Sequence, residues 1–179
     1  MAVLKGFEQQ AFYCLLFFYM TQFSNQFNFF TMTTAQFNIL LADDDTDDCI
    51  FFKEALDELP LSTQLTTVYD GEQLMHLLTQ NTGKLPNVVF LDINMPRKKG
   101  CQCLYEIKRD DKLKQLPVVV FSTSFDKETV NQMYENGAHY YLRKPNSFSK
   151  LKEVISQALT NIEKFNFSQP PKDNFIIVA

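Results

Sequence analysis

From Phe37 onward, short apolar runs of β type alternate with stretches whose apolar residues recur every three or four positions, the pattern of repeated βα units. Phe37–Ala42 reads as a first strand. The helix after it lines up Cys49, Phe52, Leu56 and Leu59 on one face, and Pro60 stops it. Leu65–Tyr69 predicts a short second strand, and Asp70-Gly71 opens a helix with Leu74, Leu77 and Leu78 turned inward. Pro86 leads into a third strand, Asn87–Leu91, whose unbroken apolar character suits a central strand covered on both faces. Gly100 precedes a helix holding Leu104 and Ile107. Pro117 opens a fourth strand, Val118–Phe121, and a helix over about Lys127–Asn136 ends at Gly137. His139–Leu142 is the fifth strand. A last helix keeps Leu151, Val154, Ile155, Ala158, Leu159 and Ile162 in register. With right-handed crossovers, these units make an α/β sandwich: a five-stranded parallel sheet between five helices.

The ends do not follow this pattern. Residues 1–36, rich in Phe, Gln, Asn and Thr and poor in charge, are expected to form an N-terminal extension outside the fold, upstream of a start at Met32. The apolar run Ala11–Met20 is too short for a bilayer, which needs about 20 residues, and no small-residue cleavage site follows it. Residues 165–179 are expected to be a C-terminal tail, with Pro170-Pro171 and then an apolar run, Phe175–Val178. That leaves 37–164 as the domain, and 179 residues give no room for a second catalytic one.

A net charge of −4 argues against nucleic acid, whose phosphates demand a basic face. Proteins and small ions are the expected partners, with no membrane association. Cys14, Cys49, Cys101 and Cys103 lack zinc-site spacing and read as free thiols of a cytoplasmic protein. His76 and His139 are too scattered for a metal cluster and are expected to be structural.

The chemistry lies where the strands end. Asp43-Asp44-Asp45 follows the first strand, Asp92 the third and Ser122 the fourth, while Lys144-Pro145 follows the fifth. Parallel strands gather these groups at one carboxyl edge, where open α/β sheets bind ligands. Carboxylates so crowded repel, by about 4 kcal/mol for a pair about 4 Å apart at an effective dielectric of about 20. A divalent cation resolves this, and all-oxygen ligands suit Mg2+. Asp44 is expected as a direct ligand, Asp43 directly or through water, Asp92 as a third, and the Asn94 backbone carbonyl as a loop ligand. Asp92, ending the central strand, is the expected nucleophile toward phosphorus, with Lys144 and the Ser122 hydroxyl bonding phosphoryl oxygens.

These residues resemble the receiver domain of two-component response regulators, in its single-domain, chemotaxis-regulator-like form. The matching stretches are Ile39–Asp45, Leu91-Asp92-Ile93-Asn94-Met95-Pro96 with Gly100, Pro117–Ser122 and Tyr141–Pro145, over roughly Phe37–Lys164. The intervals agree too: 48 residues from Asp44 to Asp92, 30 on to Ser122 and 22 on to Lys144. The resemblance implies a flavodoxin-like strand order, 2-1-3-4-5. It implies that Asp92 is the phosphoacceptor, taking phosphate from a phosphohistidine of a sensor histidine kinase or a histidine phosphotransfer protein. A stand-alone receiver would then signal by protein contacts to a downstream target that the residues do not name. Asp43 and Asp44 match the family's acidic pair, Ser122 its switch hydroxyl and Tyr141 its aromatic switch. Lys144 matches its lysine before a cis bond at Pro145. Asp45 is additional, as a helix cap or a metal ligand, and Arg97-Lys98-Lys99 is a solvated charge run or steers an anionic partner. Ser124 lies where the family tunes dephosphorylation. The alternative, a magnesium-dependent phosphatase with an aspartate nucleophile, usually carries a general acid two residues after the nucleophile, where this chain has Asn94.

Overall fold

A computed structural model describes residues 36–80, 83–165 and 168–178. The expectations placed on the first 35 residues, including the run Ala11–Met20, Met32 and Cys14, lie outside them. Among the described residues, no helix is long and apolar enough to cross a membrane.

The strands are β1 (Phe37–Ala42), β2 (Thr63–Val68), β3 (Val88–Leu91), β4 (Val118–Ser122), β5 (Tyr140–Arg143) and β6 (Ile176–Ile177). The helices are α1 (Thr46–Asp57), α2 (Gly71–Gln80), α3 (Gly100–Arg109), α4 (Lys127–Glu135) and α5 (Phe148–Lys164). One parallel sheet runs in the order β2-β1-β3-β4-β5-β6. The five-strand order expected from the sequence is present, extended by β6 from the tail.

Period-two alternation sorts the strand residues into two cores. Ile39, Leu41, Phe90, Val119, Phe121, Tyr140 and Leu142 pack with Cys49, Phe52 and Leu56 of α1 and with Leu151, Ile155 and Leu159 of α5. Leu40, Ala42, Val89, Leu91, Val120 and Tyr141 pack with Leu74 of α2, Leu104 and Ile107 of α3 and Met133 of α4. Every residue of β3 and β4 is buried, as the continuous apolar runs require. Along β2 the partly buried positions alternate with exposed ones, because this edge strand has a single protected face. Its polar start, Thr63-Gln64, joins through register with Phe37 and Asn38, so the strand begins two residues before the expected Leu65.

Gly100 illustrates how tightly the loop after β3 is packed. A Cβ there would lie 2.0 Å from the Asp92 carbonyl oxygen and 2.9 Å from the Ile93 Cα, both backbone atoms. Gly100→Ala is therefore expected to lower stability by at least about 1–3 kcal/mol, the usual range for overpacking. Chemical denaturation measures this, and an unchanged midpoint would contradict the packing described.

Candidate functional site

The ends of β1, β3, β4 and β5 are held side by side by backbone bonds. The Asp43 N–H donates to the Val68 carbonyl at 3.0 Å, Asp92 N–H to Ala42 at 2.9 Å, and Lys144 N–H to Ser122 at 3.0 Å. Asp43 is fully buried and Asp92 nearly so, at 0% and 6% exposed, whereas Asp44 faces solvent. One carboxylate oxygen from each of Asp43, Asp44 and Asp92 falls within a sphere of contacts no wider than 4.8 Å.

Lys144 Nζ stands 2.6 Å from Asp43 Oδ2 and 2.8 Å from Asp48 Oδ2. Burial alone would lower the lysine pKa, but its bonds to the two carboxylates outweigh burial and raise it. Burial pushes the Asp43 carboxyl up to about 6 against the downward pull of Lys144. At neutral pH both groups are therefore charged. One ammonium among Asp43, Asp44, Asp48 and Asp92 leaves the pocket strongly negative, and this all-oxygen donor set fits a hard divalent cation. Asp43, Asp44 and Asp92 are the side chains that would hold it. Asn94 lies two residues past Asp92 at the exposed start of the β3–α3 loop, and its Nδ2 donates to Ser124 Oγ at 3.4 Å.

Ser122 is wholly buried, and its Oγ accepts from the Ser124 N–H at 3.3 Å. Tyr141, also buried, donates its hydroxyl to the Ser124 carbonyl at 2.6 Å. Burial pushes that hydroxyl up to about 12, so it is a donor at neutral pH. Ser124 thus meets Ser122, Tyr141 and Asn94 together.

The Lys144–Pro145 bond is trans, since the described residues contain no cis peptide bond. This corrects the cis bond at Pro145 that the family resemblance implied. The trans form is intrinsically preferred even before proline, and pairing of Lys144 N–H with Ser122 already sets the direction of the strand end. Asp45 is a helix cap, its Oδ1 accepting from the N–H groups of Asp47 at 2.9 Å and Asp48 at 3.2 Å.

Two further partners were not legible in the chain. Asp48 reaches Lys144 from the first turn of α1, across a separation of 96 residues. Asp70, fully buried before α2, binds the Arg97 guanidinium. Arg97 itself takes a left-handed backbone conformation with φ 61°. Lys98 pairs with Glu106 at 2.6 Å, so two of the three charges in Arg97-Lys98-Lys99 are engaged within the protein.

The model of the response regulator receiver domain family matches residues 39–156, a stretch containing every site residue named above. The probable methanogenesis regulatory protein FilR2 of Methanothrix harundinacea is 32% identical over 124 residues, covering 68% of this chain and 80% of that protein. The response regulator Rcp1 of Synechocystis is 33% identical over 121 residues, covering 65% of this chain and 82% of its own. Among solved structures, the phosphorylated cyanobacterial phytochrome response regulator RcpA superposes with a TM-score of 0.64 at 33% identity, covering 76% of this chain and 98% of that one. The Mn2+-bound form of Rcp1 superposes with a TM-score of 0.62 at 31% identity, covering 75% of this chain and 96% of that one. The chain belongs to the response regulator receiver family.

Proposed function

We propose that Asp92 accepts a phosphoryl group from a phosphohistidine of a sensor histidine kinase or a phosphotransfer protein, and that the phosphorylated chain signals through protein contacts. The observation that carries this reading is the convergence of Asp43, Asp44 and Asp92 within 4.8 Å around a buried nucleophile. One Asp92 oxygen accepts from the Ile93 N–H at 2.8 Å, which restrains rotation of the carboxylate before attack. The carboxylate forms its bond to phosphorus as the bond from phosphorus to the donor's imidazole nitrogen breaks, and that nitrogen keeps the electron pair. Mg2+, held by the three carboxylates and the Asn94 carbonyl, would neutralise charge on the phosphoryl oxygens. Lys144 would leave Asp43 and Asp48 for one phosphoryl oxygen, and the Ser122 hydroxyl would donate to another.

The test is intact-mass spectrometry after incubation with Mg2+ and acetyl phosphate. A magnesium-dependent gain of one phosphoryl group supports the proposal. Rapid release of inorganic phosphate without an adduct would favour a phosphatase instead.

Lys144→Ala is expected to retain some labelling but to make partner binding independent of phosphorylation, because Asp92 keeps its nucleophile while the sensing cation is gone. Pull-down with the cognate partner in both phosphorylation states checks this. Binding that still required phosphorylation would refute it.

A further inference from the structure

The last described residues are packed against Tyr141, a side chain that connects β5 to the Ser122 loop. Phe175 is 1% exposed, and its ring meets Tyr141 at 6.3 Å and Tyr134 of α4 at 5.0 Å, both edge-on. Its carbonyl accepts from the Tyr141 N–H at 2.9 Å, and Ile176 and Ile177 then pair with Tyr141 and Leu142. Gln169 Nε2 ties the same segment to the end of α4, donating to the carbonyls of Tyr134 and Ala138, each at 2.8 Å. From Tyr141 the contacts run inward: its hydroxyl to the Ser124 carbonyl, the Ser124 N–H to Ser122 Oγ, and Asn94 to Ser124 Oγ.

We propose that the segment 168–178 is a built-in support for the phosphoryl-binding loop, with Phe175 as a positioning residue that holds Tyr141, and through it Ser124 and Ser122, in place for phosphorylation at Asp92. The phosphorylation half of this statement rests on the function proposed above; the mechanical half does not. A two-residue strand at a sheet edge, with no strand beyond it among the described residues, is the sort of element that opens while the rest stays folded. When it opens, the Tyr141 N–H loses its acceptor and the ring loses Phe175, so the Tyr141 hydroxyl holds the Ser124 carbonyl less firmly. Coupling of this kind is reciprocal. A phosphoryl group that orders the Ser122 loop must therefore tighten the docked segment by the same factor by which docking favours phosphoryl binding.

The experiment uses the full chain with Phe175→Ala, Phe175→Leu or Gln169→Ala. Amide hydrogen exchange of residues 122–126 is followed without any phosphodonor, and the rate of labelling by acetyl phosphate with Mg2+ is measured separately. Phe175→Ala is expected to speed exchange in 122–126 and to slow labelling, each by about fivefold or more, the lower end of ordinary coupling between sites. Phe175→Leu should recover part of both effects. Gln169→Ala, which touches neither Tyr141 nor the loop, should move both in the same direction by less. Faster exchange confined to 168–178, with the labelling rate unchanged, would overturn the proposal. Should Phe175→Ala not fold, the Gln169→Ala result decides between the same two outcomes. Wild-type protein that takes no label would refute the proposed function, and exchange at 122–126 would then decide alone whether the segment supports the loop.

Discussion

Asp92→Asn is expected to abolish the magnesium-dependent gain of a phosphoryl group while leaving the fold intact. The amide matches the carboxylate in shape, and its carbonyl oxygen can still accept from the Ile93 N–H, the bond that orients the side chain at 2.8 Å. The variant lacks a nucleophilic oxygen anion and one of the three carboxylates that would hold the cation. Folding should not suffer, because Asp92 is one of the charges that raise the Asp43 pKa, and removing it relieves that repulsion. The thermal midpoint is expected to stay level or rise. Intact mass and a melting curve on the same sample measure both halves. Acid-stable label that persisted in the variant would place the acceptor elsewhere.

Phe52→Ala is expected to be among the most destabilising single changes in the domain. Phe52 is fully buried in α1. Its ring meets Phe90 of β3 at 4.8 Å and Phe121 of β4 at 5.5 Å, both edge-on. Truncating a buried phenylalanine costs about 3–5 kcal/mol through lost burial and the cavity left behind. Phe90 lies two residues before Asp92, so the cavity would open on the α1 side of the sheet close to that group, whereas Ser122, directly after Phe121 in β4, points to the other face. Chemical denaturation measures the loss, and a change under about 1 kcal/mol would contradict a close-packed aromatic cluster.

Much of the site was legible because it depends on local features. A short apolar run ending in Asp43, Asp92, Ser122 or Lys144 identifies a strand and its terminal group together, and parallel pairing then brings the termini to one edge. Asp48 was missed because its meaning comes from Lys144, which only the fold brings to the first turn of α1 across 96 residues. Asp70 and Arg97 escaped for the same reason: one read as the start of a helix and the other as a loop charge, and neither position signals the other. The apolar run Phe175–Val178 was visible, but its place was not. A two-residue strand carries no periodicity of its own, and the free edge of β5 decides where it goes. Polar Thr63-Gln64 hid the start of β2, since an edge strand can present polar residues to water without loss.

Tyr140 and Tyr141 are neighbours in the chain yet belong to different cores, one facing α1 and α5, the other α2, α3 and α4. The sheet therefore works as a partition. Lys144 lies on the α1 side, beside the Phe121 ring and paired with Asp48, while Tyr141, Phe125 and Phe175 form a stack on the other. Substitutions around Lys144 on the α1 side can accumulate without touching the ring contacts of Tyr141 with Phe125 and Phe175, and those rings can change without touching the packing of Lys144. A small protein divided in this way can revise one face while the packing of the other stays as it was.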